Sequence, residues 1–241
     1  ISESGNNPAA VVQANPTAGF SIITYTGTGA AGTIAHGLGA RPKFIMIKNR
    51  DANEHWFVNG ELLTGNANGG FHLNLNDAEY TGGTTNMSAS SIDTNNIHVI
   101  SSGNVNTDGQ KYVAYCFAEK NGYSKMGSYT GNGNVDGTFV HTGFKPAWIL
   151  FKRFDAANNW YVMDNKRNPF NPLTEAIGPD RNNAEIGAAV VGAAYNVDLV
   201  SNGFKFRTVE QSHNGNGSSY IYVAFAERPF VTSEGVPTTA R

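Results

Sequence analysis

The sequence repeats itself, and no other feature constrains the fold so strongly. Gly19-Phe20-Ser21 returns as Gly122-Tyr123-Ser124, and Tyr25-Thr26-Gly27-Thr28-Gly29 returns as Tyr129-Thr130-Gly131-Asn132-Gly133. The match runs on through Pro42-Lys43-Phe44-Ile45-Met46-Ile47-Lys48 against Pro146-Ala147-Trp148-Ile149-Leu150-Phe151-Lys152. It closes with Tyr112 to Glu119 against Tyr220 to Glu227. A period of about 105 residues is the size of an independent domain, so each copy is expected to build its own core. The repeat sets modules at 19–121 and 122–230, leaving 1–18 as a linker, marked by Asn6-Asn7-Pro8 and Asn15-Pro16, and 231–241 as a tail. The chain begins at Ile1, which suggests a processed piece or the later part of a longer polypeptide.

Within each copy the apolar runs are short and bounded by Gly, Asn and Asp, the pattern of strands and turns. The 28 Gly and 29 Asn supply turns, while 40% apolar residues are enough to fill a core. Strands are expected at 20–26, 33–36, 43–50, 55–59, 71–75, 97–101 and 111–119. In the second copy they fall at 123–130, 138–141, 147–153, 160–164, 204–207 and 220–227. Phe44 to Ile47 and Trp148 to Phe151 are continuously apolar, as a strand covered on both faces would be. The fold class that follows is all-β, two tandem antiparallel β-sandwich modules of jelly-roll-like character. One stretch dissents: 183–194 is alanine-rich enough for a short helix, although Gly187 and Gly192 weaken it.

Charge excludes several function classes. The net charge is −2, with 6 basic and 8 acidic residues in the first copy against 10 and 9 in the second. Neither copy carries the basic stripe that a nucleic-acid backbone requires. No apolar run is long enough to span a bilayer. The single Cys116 lies in an alternating apolar segment and reads as a small core hydrophobe.

No residue pattern announces catalysis. The acids matched in both copies are Asp51 and Asp155, Asp93 and Asp198, and Glu119 and Glu227. Asp51 and Asp155 sit where a hairpin turn is expected, and none of the six pairs in sequence with a second acid as glycoside hydrolysis would need. His36 and His141 stand at matched positions before a glycine-rich corner and are read as repeat positions with a shared structural task. No second His or Cys lies at zinc-ligand spacing, so neither metal nor cofactor is expected. Gly27-Thr28-Gly29-Ala30-Ala31-Gly32 fits a dinucleotide fingerprint in letters only, because no helix follows it. The loops 104–108 and 132–136 offer oxygens of the kind calcium takes, yet neither follows the EF-hand pattern, and solvated turns are the expectation.

Aromatic residues are the more suggestive binding candidates. Trp56 and Trp160, with Tyr25 and Tyr129, would stack on sugar rings if exposed, although their recurrence in both copies favours packing. Tyr80, Tyr195 and Phe170 occur in one copy only, within the divergent stretches 60–111 and 165–219. Trp56, Trp160, Tyr80 and Tyr195 are therefore the candidate glycan contacts.

The strings Gly19 to Gly27, His36-Gly37-Leu38-Gly39, Pro42 to Lys48, Tyr112 to Glu119 and Tyr222 to Phe230 resemble an uncharacterised module of tailed-phage virion proteins. Such modules often follow a laminin-G or concanavalin-like domain. The resemblance implies an extracellular, virion-borne fibre, tail or capsid-surface protein, and carries over no active site. The expected function is a non-enzymatic structural or adhesive module that binds host glycan or other virion proteins, as a homo-oligomer. A glycan-depolymerising tailspike enzyme and a purely architectural fibre or decoration subunit are the alternatives.

Overall fold

A computed structural model describes residues 2, 4–66, 69–80, 87, 92–187 and 195–227. It divides into two compact units, one of Ile1–Asn74 with Glu79–Glu119 and one of Lys120–Arg241 with the short segment Leu75–Ala78. Every strand pairing is antiparallel. Among the described residues the one helix is a single turn, Glu61–Thr64. The chain is all-β, in two tandem sandwich modules.

The first unit contains β1 (Ala10–Asn15), β2 (Phe20–Thr26), β3 (Gly32–Ala35), β4 (Phe44–Asn49), β5 (Phe57–Asn59), β6 (Gly70–His72), β7 (Asn96–Val99) and β8 (Lys111–Phe117). Six of them form one sheet in the order β1-β2-β8-β4-β5-β6, and β3 pairs with β7 in a separate ribbon. Alternation decides which face is buried: Ser21, Ile23 and Tyr25 of β2 point inward, as do Tyr112, Ala114 and Cys116 of β8. There they meet Ile45 and Ile47 of β4 and, from the ribbon, Ile34, Ile97 and Val99.

The second unit contains β9 (Ser124–Thr130), β10 (Phe139–His141), β11 (Pro146–Arg153), β12 (Trp160–Asp164), β13 (Val197–Val200), β14 (Gly203–Phe206) and β15 (Ser219–Ala226). The order β12-β11-β15-β9 reproduces that of β5-β4-β8-β2, and β10-β14 reproduces β3-β7, with β13 added beside β14. Phe151, Tyr222 and Ala224 of the larger sheet close on Val140, Phe204, Phe206, Val197 and Leu199 of the smaller. The apolar run of β11 is covered on both faces, with Ile149, Leu150, Phe151 and Lys152 all buried; in β4 Met46 and Lys48 remain half-buried.

Three expectations need correction. Residues 1–18 are not a linker, because Ala10 to Asn15 pairs in full register with Tyr25 to Phe20 and extends the large sheet. The uncharged run Ala-Val-Val-Gln-Ala-Asn is a strand, and the flanking Asn-Pro pairs merely bound it. Second, β13 was not among the expected strands. Third, Asn183 to Gly187, the described part of the alanine-rich stretch, is not helical: Ile186 is buried and bridges to Ala176. Residues 188–194 and the tail 231–241 lie outside the described residues.

The repeat also slips by one residue at its second strand. Ile34 and Val140 are the buried partners of Ile97 and Phe204, so Val140, not Phe139, takes the place of Ile34. Because side chains alternate, a slip of one sends every following residue to the other face. His36 is fully buried while His141 is exposed, and they do not share a task. The structural counterpart of His36 is Thr142: His36 Nδ1 accepts from the Leu38 amide at 3.2 Å, and Thr142 Oγ1 from the Phe144 amide at 3.4 Å.

Candidate functional site

A polar arrangement common to both units is a loop corner beside the last strand. Asn106 is fully buried, its carbonyl oxygen accepting from the Thr28 amide at 2.9 Å and its nitrogen donating to the Ala30 carbonyl at 2.5 Å. Asn214 does the same work in the second unit, accepting from the Asn132 amide at 3.1 Å and donating to the carbonyls of Asn134 at 2.9 Å and Thr208 at 2.7 Å. A carboxamide is the one side chain that satisfies amides and carbonyls together in this way. Paired tyrosines brace each corner. Tyr25 stacks on Tyr112 at 5.1 Å and donates to the Val105 carbonyl at 2.5 Å, and Tyr129 stacks on Tyr220 at 4.9 Å and donates to the His213 carbonyl at 2.9 Å. Burial raises the hydroxyl pKa of both Tyr25 and Tyr129, so they stay donors.

This corner explains the glycine motif. A Cβ on Gly27 would stand 2.2 Å from the Thr107 carbonyl oxygen, and one on Gly131 would stand 2.3 Å from that of Gly215. Two passing backbones therefore require glycine here, and no phosphate is needed to account for it. Of the calcium-like loops, 104–108 turns Asn106 inward, while 132–136 keeps Asn132, Asn134 and Asp136 exposed, with Asp136 binding Lys205 at 2.7 Å and Arg207 at 3.1 Å. Among the described residues no group of three His, Cys, Asp or Glu side chains could hold a metal ion. No helix among them is long and apolar enough to cross a membrane.

The matched acids hold backbone and basic partners. Asp51 accepts from the Lys111 amide at 2.8 Å and Asp155 from the Ser219 amide at 3.1 Å, each tying the hairpin before it to the start of the last strand. Asp93 accepts from the amides of Asn95 and Asn96, which hold its pKa below the usual carboxylate range, and Asp198 receives Arg207 Nε at 2.6 Å. Glu119 lies 3.5 Å from Lys43, and Glu227 pairs with Lys166. A second repeated device, to which the sequence reading gave no role, is the lysine of the central hairpin. Lys48 Nζ donates to the carbonyls of Asn49 at 2.9 Å and Glu54 at 2.8 Å, and Lys152 Nζ to those of Arg153 at 3.1 Å and Asn158 at 2.6 Å. Lys152 is fully buried, with its ammonium 5.8 Å from the Trp160 ring centre; burial lowers its pKa to about 8 against the pull of Asp180 and Asp77.

The four aromatic candidates divide. Trp160 is 0% exposed, so it has no face for a sugar and is corrected to a packing residue. Trp56 is half-buried and stacks on Tyr115 at 6.3 Å. Tyr80 is half-buried beside His72 and Phe57, at 5.4 and 6.4 Å. Tyr195, also half-buried, belongs to a cluster found in the second unit: it lies 5.1 Å from Tyr161 and stacks on His213 at 5.5 Å. Arg181 donates to the Tyr161 hydroxyl at 2.6 Å and to Asn159. The places that match Tyr161 and His213 hold Phe57 and Val105 in the first unit.

A solved structure titled "Crystal Structure of the STIV MCP" is similar at a TM-score of 0.20 and 9% identity, over 92% of this chain and 92% of that one. A likeness so slight carries no argument. No curated protein matches the chain. The model of a domain of unknown function (DUF7483) matches residues 2–229, and the chain belongs to that family.

Proposed function

We propose that this chain is a non-enzymatic structural or adhesive protein of a tailed-phage virion, displayed in several copies, that binds host surface glycan or other virion proteins. The observation that carries the reading is the engagement of the repeated chemistry by the scaffold itself. Each acid shared by both copies holds a backbone amide or a basic side chain, and each shared lysine, asparagine and tyrosine braces a loop. A hydrolytic site needs two carboxylates facing across a bond, one of them protonated near neutral pH. Exposed apolar side chains in stretches the copies do not share include Phe170, 81% exposed, and Val209, 51% exposed. Many weak sites on a multimeric particle would make such contacts effective through avidity.

Incubation with polysaccharide purified from bacterial surfaces tests the reading. Retention of the chain without release of reducing ends is the expected outcome. Release of reducing ends would overturn it in favour of a depolymerase.

A further inference from the structure

The surface of the first unit has an open depression of about 420 Å³ where β1 lies beside β2. Val11, Thr24, Thr26, Arg50 and Lys111 contribute to its lining. Val11 is 73% exposed, and Arg50 and Lys111 are exposed as well. Arg50 and Lys111 are fixed as neighbours through their backbones, the Arg50 amide donating to the Lys111 carbonyl at 2.8 Å. Ion pairs among the described residues engage Lys43, Arg153, Lys166, Arg167, Lys205 and Arg207, for example. Asp51, next to Arg50 in sequence, accepts from the Lys111 amide at 2.8 Å.

The duplication supplies a built-in comparison. In the second unit Phe154 and Ser219 occupy the places of Arg50 and Lys111, joined by the same backbone bond at 2.9 Å. The scaffold is kept and both charges are gone. The wall formed by β1 is likewise particular to the first unit among the described residues. The two cations are therefore not needed to build the module.

We propose that this depression binds the carboxylate-bearing sugar of an acidic polysaccharide. The proposal rests on the adhesive reading above and names the ligand class for it. A guanidinium and an ammonium side by side suit a carboxylate, the Thr24 and Thr26 hydroxyls suit sugar hydroxyls, and Val11 offers an apolar surface for a ring face. The volume fits one or two sugar residues, being within the range of about 300–1,000 Å³ usual for ligand sites.

The test is calorimetric titration of the full chain with polygalacturonate oligosaccharides at low salt, set beside neutral dextran oligosaccharides. Binding of the acidic oligosaccharide alone is expected, weakened at least tenfold in an Arg50→Gln/Lys111→Gln double variant whose unfolding midpoint is unchanged. Failure to bind polygalacturonate, equal binding by the double variant, or equal binding of duplex DNA to the same cations would overturn the proposal. A double variant that keeps full affinity for host polysaccharide would remove this site while leaving adhesion intact. If no polysaccharide of any charge binds, the adhesive reading fails with it.

Discussion

Replacing Asn214 by alanine deletes five hydrogen bonds at the corner of the second unit. Two of these are weak: the Thr138 amide lies at 3.4 Å, and the Asn132 side chain is exposed and regains water. The other three join Asn214 to the Asn132 amide and the Asn134 and Thr208 carbonyls, and a methyl leaves those groups without their partner. At about 1 kcal/mol net for each bond, and more for a group left buried and unpaired, the loss is roughly 3–5 kcal/mol. That is a large share of the 5–15 kcal/mol of a typical domain. Urea unfolding followed by near-ultraviolet circular dichroism measures it, with exposed Asn183→Ala as the control. Asn214→Asp sharpens the test. Its carboxylate keeps the accepting role but faces two carbonyls, which raises its pKa above the unfolded value. The variant is therefore expected to be least stable at neutral pH and to recover as the pH falls and the protonated carboxyl donates again. A loss below about 1 kcal/mol for Asn214→Ala would refute the claim that this side chain holds the corner.

Three further outcomes follow from the buried groups. Burial lowers the Lys152 pKa to about 8 in the fold against 10.5 when unfolded, so this lysine makes the unfolded chain hold the extra proton between those values and contributes stability that rises with pH across that window. That contribution is up to about 3 kcal/mol, and the stability difference between the parent chain and Lys152→Met should grow in the parent's favour by about that much across the window in pH-dependent urea titrations. His36 accepts from Leu38 at Nδ1 and therefore donates from Nε2 to the Asp93 carbonyl as a neutral ring. Burial lowers its pKa, so stability should fall as pH drops below the ordinary histidine value, and His36→Gln should flatten thermal midpoints compared between pH 5 and 7. The Cys116 thiol, pushed up to about 12 by burial, should react with a disulfide reagent only after denaturation.

The fold was legible in the sequence where both copies wrote the same strand. Tyr112 to Phe117 and Tyr220 to Phe225 recur as continuously apolar runs, and they form the shared strand of each large sheet. The first strand escaped notice because it has no second copy to be compared with. His36 and His141 misled for a physical reason: letters align without regard to which face a strand turns inward, and one residue of slip reverses it. The asparagine corner was hidden because Asn106 and Asn214 sit in loops rich in asparagine, and only tertiary contact marks out which one is buried. The same holds for Trp56 and Trp160, identical in pattern and different in cover.

The most direct test of the proposed virion location is quantitative mass spectrometry of purified phage particles whose genome carries this sequence. The account predicts peptides from both modules at a fixed stoichiometry to the known structural proteins, retained through density-gradient banding. Peptides abundant in the infected-cell lysate and missing from the banded particles would contradict it.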